Sequence, residues 1–398
     1  MNRPERFSPE SVKDAKDSCI AGRPPFECIS LLLQGGGALG AYQAGVYQAL
    51  AEADLHPDWV AGISIGAINA ALIAGNPPEV RVEKLRSFWE GITPAPAWDW
   101  SAHPHLPIAH SIDGRKIANQ MSAMSALFSG VAGFFTPRML TPWLHPAGDP
   151  KATSYYDTGS LRTTLERLVD FDMINANDTR FSVGAVNVRS GNFVYFDTTT
   201  HTIKPEHILA SAALPPGFPC VEIEGEHYWD GGLVSNTPLQ WVLQFGPRQD
   251  TLAFQVDLWS ARGQLPRSMA EVTTRQKEII YSSRTRDNTT RFTASQKVRH
   301  AVESLLKKLP EEMQDCPEAK ILNSFGDQKV YSLVHLIYRA KQYEGDSKDY
   351  EFSRRSMEEH WRSGYNDTVR TLRHPEAIAR PENAEGISIF DISERGGE

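Results

Sequence analysis

The hydrophobic pattern between residues 27 and 75 alternates between short apolar runs and helical spacing. An apolar run at residues 29–33 ends at three glycines, which is typical of a buried parallel strand that enters a tight turn. Apolar side chains then recur at helical spacing over residues 38–53. A second strand at 59–61 and a second helix at 65–74 repeat the arrangement. Two successive strand–turn–helix units predict right-handed βαβ units in an open sheet that is covered by helices.

The rest of the chain divides by its pattern into a mixed part and a helical part. Up to residue 260, the pattern predicts two helices and three strands, at 160–169, 205–214, 181–188, 193–198 and 252–258. Residues 94–150 are rich in Pro, Trp and His and have weak periodicity, which is typical of a lid or an insertion. Beyond residue 260, long helical patterns occupy 268–309 and 350–373. We therefore predict four segments: an arm (1–26), a main domain (27–260), a mainly helical extension (261–380) and a tail (381–398).

Composition and charge narrow the class of protein. Hydrophobic residues make up 40% of the 398 residues and charged residues 23%, which is an ordinary globular profile and excludes disordered, collagen-like and disulfide-scaffold proteins. The net charge of −8 argues against a nucleic-acid partner. The four cysteines form no CxxC pair and no zinc spacing, and His103, His105 and His110 lack accompanying carboxylates. We expect reduced thiols, no metal, no cofactor and a cytoplasmic location, and the sequence indicates no oligomeric state.

Two segments suggest contact with a membrane. Residues 117–137 hold no charged residue, but several Ser, Asn, Gln and Gly residues favour a buried or interfacial segment over a transmembrane span. Its large apolar side chains are predicted to belong to the core, with a lipid-facing lid as the alternative: Met121, Met124, Leu127, Phe128, Phe134 and Phe135. Residues 261–309 hold 11 Lys and Arg against four Asp and Glu. Solvated helix faces explain most such runs, and peripheral contact with an anionic membrane surface is the second interpretation.

The first candidate for chemistry is the glycine-rich loop at residues 35–40. Consecutive glycines let the backbone approach a ligand and direct several N–H groups toward one point, where the start of a helix also favours negative charge. Gly35, Gly37 and Gly40 also satisfy the dinucleotide fingerprint G-x-G-x-x-G. That fingerprint requires an acidic residue at the end of the second strand, and this strand ends in Gly-Ile-Ser. An oxyanion-binding loop is therefore favoured over a nucleotide site or a plain tight turn.

The second candidate is Ser64, within the sequence Gly62-Ile63-Ser64-Ile65-Gly66. A G-x-S-x-G sequence between a strand and a helix is typical of a nucleophile elbow, a strained turn that presents the serine hydroxyl above the sheet. Gly62 and Gly66 are needed there because a Cβ would clash with the neighbouring strand and helix. The N–H group of Ile65 would point toward the substrate oxyanion. We predict that Ser64 is a nucleophile, with a structural helix cap as the alternative.

The third candidate is Asp230, which is followed by Gly231 and Gly232 after an aromatic run. An Asp-Gly pair taken alone is most often a surface turn. A functional role for the Asp230 carboxylate is better supported here, because the same chain also contains the glycine-rich loop and the elbow.

Together these motifs resemble the patatin-like phospholipase family. The loop GGGALG is similar to the family's oxyanion loop, GISIGAINAALIAG to its elbow and following helix, ASAALPPGFP to its Ala-Ser-Pro segment, and YWDGGLVSNTP to its Asp-Gly-Gly/Ala motif. The resemblance covers about residues 27–260. It implies an α/β fold with an open, mainly parallel sheet sandwiched by helices, to which this chain adds a C-terminal helical extension. Leu39 departs from the family, which usually has Arg or Lys at that position of the loop.

The resemblance also implies a mechanism, a Ser–Asp dyad that needs no histidine. Ser64 would attack a lipid or carboxylic acyl ester while Asp230 accepts its proton. The oxyanion would be held by amides of the glycine loop and of the residue after the nucleophile, namely Gly35, Gly36, Gly37 and Ile65. Two alternatives stay open. One is a short-chain esterase with a Ser–Asp–His triad, for which His335, His360 and His374 lie downstream. The other is a non-catalytic protein that binds a nucleotide or an anion at the glycine loop.

Overall fold

The computed structural model describes five stretches of the chain, 23–93, 111–246, 248–341, 343–383 and 385–392. Most of the predicted N-terminal arm lies outside these residues. So do the first part of the predicted insertion, with His103, His105 and His110, and the end of the predicted tail. The expectations for those positions stay predictions.

The described residues form one nine-stranded sheet and a separate two-stranded ribbon. The large sheet has the order β11-β10-β9-β1-β2-β5-β8-β7, and β6 pairs with β5. Neighbouring strands from β11 to β5 are parallel, and β6, β7 and β8 join by antiparallel pairing. The strands are β1 (Cys28–Leu33), β2 (Trp59–Gly62), β3 (Thr136–Pro137), β4 (Tyr156–Asp157), β5 (Arg180–Asn187), β6 (Phe193–Asp197), β7 (Val221–Ile223), β8 (Glu226–Asp230), β9 (Thr251–Asp257), β10 (Tyr331–Ile337) and β11 (Ile387–Asp391).

Helices connect and cover these strands. In the described residues they are α1 (Ala41–Glu52), α2 (Ile65–Ala74), α3 (Arg81–Ile92), α4 (Ile112–Ser129), α5 (Gly159–Leu168), α6 (Phe171–Ala176), α7 (Pro205–Ser211), α8 (Met269–Leu306), α9 (Glu311–Gln314), α10 (Pro317–Phe325) and α11 (Arg354–Leu372). Short 3₁₀ turns and one π turn, Trp241–Phe245, complete the chain path. The predicted α/β class, with a mainly parallel sheet between helices, is confirmed.

The predicted βαβ unit is present at the centre of the sheet. Strands β1 and β2 pair in parallel, with Leu31 opposite Val60. All residues of β1 and all ten of α2 are buried. A strand that is covered on both faces needs a continuous apolar sequence, which explains why residues 29–33 do not alternate.

The region after residue 260 has the predicted long helices and two strands that the pattern did not indicate. Helices α8 and α11 match the predicted 268–309 and 350–373. Strand β10 pairs in parallel with β9, and β11 pairs in parallel with β10. The sheet therefore continues past the predicted boundary, and β11 lies within the segment predicted to be a tail. Short apolar runs between helical patterns do not identify a strand unless its sheet partner is known.

Helix α11 packs closely against α1. A Cβ built on Gly45 would collide with the carbonyl oxygen of Trp361, and one built on Gly364 would collide with that of Tyr42. The two glycines thus allow the backbones to approach directly. The C-terminal part of the chain is joined to the N-terminal βαβ unit by this contact as well as by the sheet.

The uncharged segment 117–137 divides between the surface and the core. Phe134 and Phe135 are buried, as predicted, but the core prediction is wrong for Met121, Met124, Leu127 and Phe128, which are 63%, 50%, 37% and 74% exposed. On α4, only Ala123 and Ala126 are buried. No helix among the described residues is both long enough and apolar enough to cross a bilayer.

Candidate active site

Ser64 lies at the sharp turn between β2 and α2. Its backbone has φ 57° and ψ −125°, a conformation that residues with a side chain rarely adopt. The residue is partly exposed, whereas Ile63 and Ile65 on either side are buried. Strand β2 and helix α2 thus leave Ser64 at the surface of the turn, as the elbow prediction requires.

Gly62 and Gly66 make this turn sterically feasible. A Cβ on Gly62 would collide with the carbonyl oxygen of Gly66, and a Cβ on Gly66 would collide with that of Leu33. Both clashes involve backbone, which cannot move aside like the end of a side chain. The two glycines are therefore required by the close contact of β1, β2 and α2.

Strand β5 brings Asp230 to Ser64. Val183 of β5 pairs with both Gly62 of β2 and a residue of β6, while Ala185 pairs with both Asp230 of β8 and a residue of β6. Because β6 occupies one edge of β5, β2 and β8 share the other edge. One of them runs parallel to β5 and the other antiparallel, so their carboxyl ends face each other. The elbow with Ser64 directly follows the carboxyl end of β2, and Asp230 is the last residue of β8.

The Asp230 carboxylate is buried next to two donors. The side chain is 1% exposed, and its Oδ1 accepts a hydrogen bond from the Gly232 N–H at 2.7 Å. The Ser64 side chain lies beside the carboxylate and favours its ionised form. Burial raises the pKa of the Asp230 carboxyl to about 7, although both donors lower it. A carboxylate with such a pKa is a far better base at neutral pH than an exposed aspartate.

The glycines after Asp230 allow the carboxylate to lie against β5. A Cβ built on Gly231 would be 2.7 Å from the carbonyl oxygen of Gly184. Gly232 supplies the N–H group that holds Oδ1. The Asp-Gly-Gly sequence is therefore a close approach of two backbones at the site, and the surface-turn interpretation is wrong.

The glycine loop lies beside Ser64. A Cβ built on Gly35 would be 3.0 Å from the Ser64 Cβ. The Gly35 N–H donates to the carbonyl oxygen of Asn236 at 3.2 Å, and the Gly35 carbonyl accepts from Asn236 Nδ2 and Trp259 Nε1, both at 3.0 Å. Since the Gly35 N–H already has an acceptor, it is not a free donor for an oxyanion. Asn236 and Trp259 thus hold the Gly35 backbone in place through hydrogen bonds. Neither residue was predicted from the sequence.

The other three predicted oxyanion donors differ from Gly35. Within the part of the chain that the structure describes, no acceptor is assigned to the N–H groups of Gly36, Gly37 or Ile65. Gly37 has φ +56°. Gly40, at the end of the loop, is in close contact with Ile65, because a Cβ there would meet the Ile65 side chain. The loop and the elbow are thus packed directly against each other.

Leu39, the departure from the family's loop, is completely buried. An arginine or lysine that pointed into this apolar core would be costly because its charge would lose water. The apolar residue therefore fits its surroundings in this chain.

A tyrosine from the C-terminal part of the chain approaches the same site. The rings of Tyr281, on α8, and Trp259 have centroids 5.1 Å apart. Burial raises the pKa of Tyr281, and the nearby Asp349 and Asp230 carboxylates raise it further. The sequence pattern does not single out Tyr281, because nothing in a long helical pattern marks one position as adjacent to a distant elbow.

The three downstream histidines lie on other elements than those that carry Ser64 and Asp230. His360 contacts Glu344 at 3.3 Å, and His374 contacts Glu376 at 3.6 Å. His335 lies on β10, opposite Gln255 and Asp391. Strand β10 is three positions from β2 in the sheet, about 14 Å at the usual strand spacing. The described residues also contain no group of three or more His, Cys, Asp or Glu side chains that could hold a metal ion.

Comparison with known proteins identifies the family. A family profile described as "Patatin-like phospholipase" matches residues 31–242, more than half of the chain. The chain belongs to the patatin-like phospholipase family. A second profile, "Patatin phospholipase", matches residues 279–384. In this patatin-like phospholipase, the region after residue 260 therefore has a family counterpart of its own.

Individual relatives are similar over limited regions or at low identity. A patatin-like phospholipase domain-containing protein of Caenorhabditis elegans is 44% identical over 61 residues, which are 15% of this chain and 4% of that protein. The structure of VipD from Legionella pneumophila matches at 16% identity and a TM-score of 0.38, over 93% of this chain and 72% of that one. Human group IVD cytosolic phospholipase A2 matches at 15% identity and a TM-score of 0.25, over 48% and 24% of the two chains.

Proposed function

We propose that this patatin-like phospholipase is a serine acyl-ester hydrolase that cleaves lipid or carboxylic acyl esters through an acyl-enzyme. The observation that supports this most directly is the position of the Ser64 side chain, at a strained elbow, beside the buried Asp230 carboxylate. A nucleophilic hydroxyl needs a base within hydrogen-bond reach, and Asp230 is a base whose pKa of about 7 suits neutral pH.

The reaction has two balanced halves. The Ser64 Oγ attacks the ester carbonyl carbon, and its proton passes to Asp230. Collapse of the tetrahedral intermediate breaks the bond to the alcohol, which leaves with the proton from Asp230. A water molecule then attacks the acyl-enzyme and gives a proton to Asp230. The second collapse frees the carboxylic acid, and Ser64 regains its proton.

The oxyanion of both intermediates is stabilised by backbone N–H groups. Gly36, Gly37 and Ile65 are the donors that we assign, because Gly35 is engaged with Asn236. Loss of one such donor costs about 2.7–4 kcal/mol in enzymes where it has been removed. This contribution makes the glycine loop a part of the catalytic machinery.

The proposal is tested with a fluorophosphonate probe and a p-nitrophenyl ester. Wild-type protein should be labelled at Ser64 and hydrolyse the ester, while Ser64→Ala should fold normally and do neither. The matched controls are His335→Ala, His360→Ala and His374→Ala, each of which should keep substantial activity. If Ser64→Ala is still labelled, the nucleophile is another residue. A loss of about four orders of magnitude in one histidine variant with a normal melting profile would support the triad.

We also propose peripheral contact with anionic membranes, through α4 and the segment that follows it. Large apolar side chains of α4 are exposed at helical spacing, namely Ile117, Met121, Met124 and Phe128. Met139, Trp143 and Leu144 are exposed as well. Apolar patches of this kind on soluble domains mark interaction sites, and tryptophan favours the membrane–water interface.

The basic segment 261–309 would add electrostatic attraction to an anionic lipid surface. Among the side chains that the structure describes, ion pairs with carboxylates include Arg275 with Glu278, Lys277 with Asp349, Arg291 with Asp287, and Lys297 with Glu385. An exposed Lys or Arg near an anionic leaflet contributes about 1 kcal/mol of attraction, and salt weakens this attraction.

Sedimentation with liposomes tests the membrane surface. We expect weak binding to anionic vesicles at low salt, release at high salt, and much less binding to zwitterionic vesicles. Met124→Ser with Phe128→Ser should abolish binding and leave turnover of a soluble ester unchanged. The control is Ile321→Ser, an equally exposed apolar residue on α10. Equal loss in the control, equal binding to both vesicle types, or no binding of the wild type would refute the proposal.

A further inference from the structure

A loop from the C-terminal part of the chain lies directly on the glycine loop. The Ala38 N–H donates to the carbonyl oxygen of Asp349 at 2.8 Å. The same carbonyl oxygen lies so close to Gly37 that a Cβ there would collide with it. The path of residues 346–350, which we name the covering loop, therefore constrains the backbone next to the proposed oxyanion donors.

Lys277 of α8 holds the covering loop at three places. Its Nζ lies 3.0 and 3.2 Å from the two carboxylate oxygens of Asp349 and donates to the Asp346 carbonyl at 2.8 Å. It also lies 5.0 Å from the centroid of the Tyr350 ring. Burial raises the pKa of Asp349, and the Lys277 charge opposes this effect. One ammonium group thus contacts both ends of the loop, Asp346 and Tyr350, as well as the Asp349 carboxylate.

The next residue of α8 makes a second ion pair, of opposite polarity, with the same loop. Glu278 accepts from Lys348 at 2.7 Å, and the Lys348 side chain is only 3% exposed. Lys348 also lies 5.1 Å from the ring centroid of Trp259, whose Nε1 donates to the Gly35 carbonyl. Helix α8, the covering loop and the glycine loop are therefore in continuous contact.

We propose that Lys277 is a positioning residue for ester hydrolysis. It holds the Asp349 carbonyl against Ala38, and this contact keeps the N–H groups of Gly36 and Gly37 directed at the oxyanion. Lys277 acts through Asp349 and touches no reacting atom. The inference rests on the proposed function of Ser64, and it gives the C-terminal part of the chain a direct role in the reaction.

We expect the replacement of Lys277 to slow the chemical step of ester hydrolysis. Removal of one oxyanion donor lowers kcat about 10²–10³-fold, so a loop that is loosened but still present should lose less. We expect Lys277→Met to lower kcat about 10–100-fold on a p-nitrophenyl ester, with KM changed less than about threefold. Lys277→Arg, which can also donate to the carboxylate, should recover most of the lost kcat.

The matched control is Lys297→Met. Lys297 is on the same helix and pairs with Glu385 at 2.6 Å, far along the chain from the residues that contact the covering loop. Loss of this exposed ion pair should have little effect on stability and should keep wild-type kcat. The rate of fluorophosphonate labelling should fall in Lys277→Met in parallel with kcat. If Lys277→Met does not fold, Asp349→Asn removes the same ion pair and keeps the backbone carbonyl, and it should give the same result.

The outcomes separate this inference from the proposed function. Labelling of the wild type at Ser64 tests the proposed function and does not depend on Lys277. Given that labelling, wild-type kcat in Lys277→Met, an equal loss in Lys297→Met, or no recovery in Lys277→Arg would overturn the positioning role. An unlabelled wild type would instead reject the hydrolase proposal itself.

Discussion

The backbone N–H of Ser64 donates to the hydroxyl of Ser211, 3.1 Å away. That hydroxyl in turn donates to the Gly184 carbonyl at 2.7 Å, so Ser211 ties the elbow to strand β5. Ser211 is completely buried at the end of α7. The strained backbone of Ser64 is therefore held by a side chain as well as by its own turn.

Replacing this serine should affect both stability and catalysis. Ser211→Ala leaves a buried N–H and a buried carbonyl without their partner, which costs about 1–3 kcal/mol. Because the elbow is then free to relax, we expect kcat to fall about tenfold or more. Ser332→Ala is the control. Ser332 lies in β10, is equally buried, and donates its hydroxyl to the Ala379 carbonyl at 2.9 Å. The Ser332→Ala variant should lose a similar amount of stability in thermal melts without a loss of kcat. Equal kcat in the two variants would contradict the role of Ser211 in holding the elbow.

Activity should depend on the ionisation of Asp230. Burial raises the pKa of this carboxyl to about 7, and only the ionised form accepts the Ser64 proton. We therefore expect kcat/KM to rise with pH through about 7 and to fall about tenfold per pH unit below it. A profile on a soluble ester, measured from pH 5 to 9, checks this. A rate that stays constant down to pH 5 would mean that Asp230 is not the base.

A second buried carboxyl provides the control for that profile. Burial also raises the pKa of Asp257 to about 7, but its carboxylate accepts hydrogen bonds from Gln255 and Thr237. We expect Asp257→Asn to keep the wild-type pH profile, while Asp230→Asn abolishes turnover at every pH. A profile that moves in Asp257→Asn would assign the observed ionisation to Asp257.

The same raised pKa makes stability depend on pH with a defined sign. The folded state keeps the Asp230 proton up to about pH 7, whereas an unfolded aspartate loses it near pH 4. The resulting stabilisation is fully present below about pH 4 and is lost as pH rises through 7. Asp230→Asn carries no such proton, so its denaturation midpoint relative to wild type should be higher at pH 8 than at pH 5. An equal difference at both pH values would contradict the shift.

Two glycine substitutions should have opposite effects. Gly66→Ala places a Cβ against the Leu33 carbonyl, and we expect it to destabilise the fold and abolish labelling of Ser64. Gly91 lies in α3, is exposed, and has nothing within 4 Å of a built Cβ. Gly91→Ala should therefore be neutral or stabilise by about 0.4–1 kcal/mol, with unchanged activity. Thermal melts and labelling check both, and a stable, labelled Gly66→Ala would exclude the tight elbow.

Local sequence was sufficient for the elements that build the elbow. The glycines at 62 and 66 identify a turn that tolerates no Cβ, and helix 65–74 has the predicted bounds. The pairing of β8 with β5, which brings Asp230 to Ser64, was not visible in the spacing. The family resemblance supplied Asp230, because an Asp-Gly pair has no local feature that separates a site from a surface turn.

The missed features share a physical reason. Strand β10 becomes recognisable only through its pairing with β9, and Lys277 only through its contact with Asp349 across the fold. Gly35 was predicted as an oxyanion donor because glycine frees the backbone. Whether its N–H is available depends on Asn236, which lies far along the chain.

The order of strands in the sheet also affects how the chain folds as it leaves the ribosome. Strand β9, which pairs with β1, has its other edge covered by β10. Residues 258–330 must be synthesised in between, which takes about 4–15 s at the usual ~5–20 residues per second. During that time the nascent chain presents an open, apolar strand edge of the kind that aggregates. We therefore expect expression of residues 23–260 alone to give aggregated protein, and a chaperone that shields strand edges to raise the yield of the whole chain.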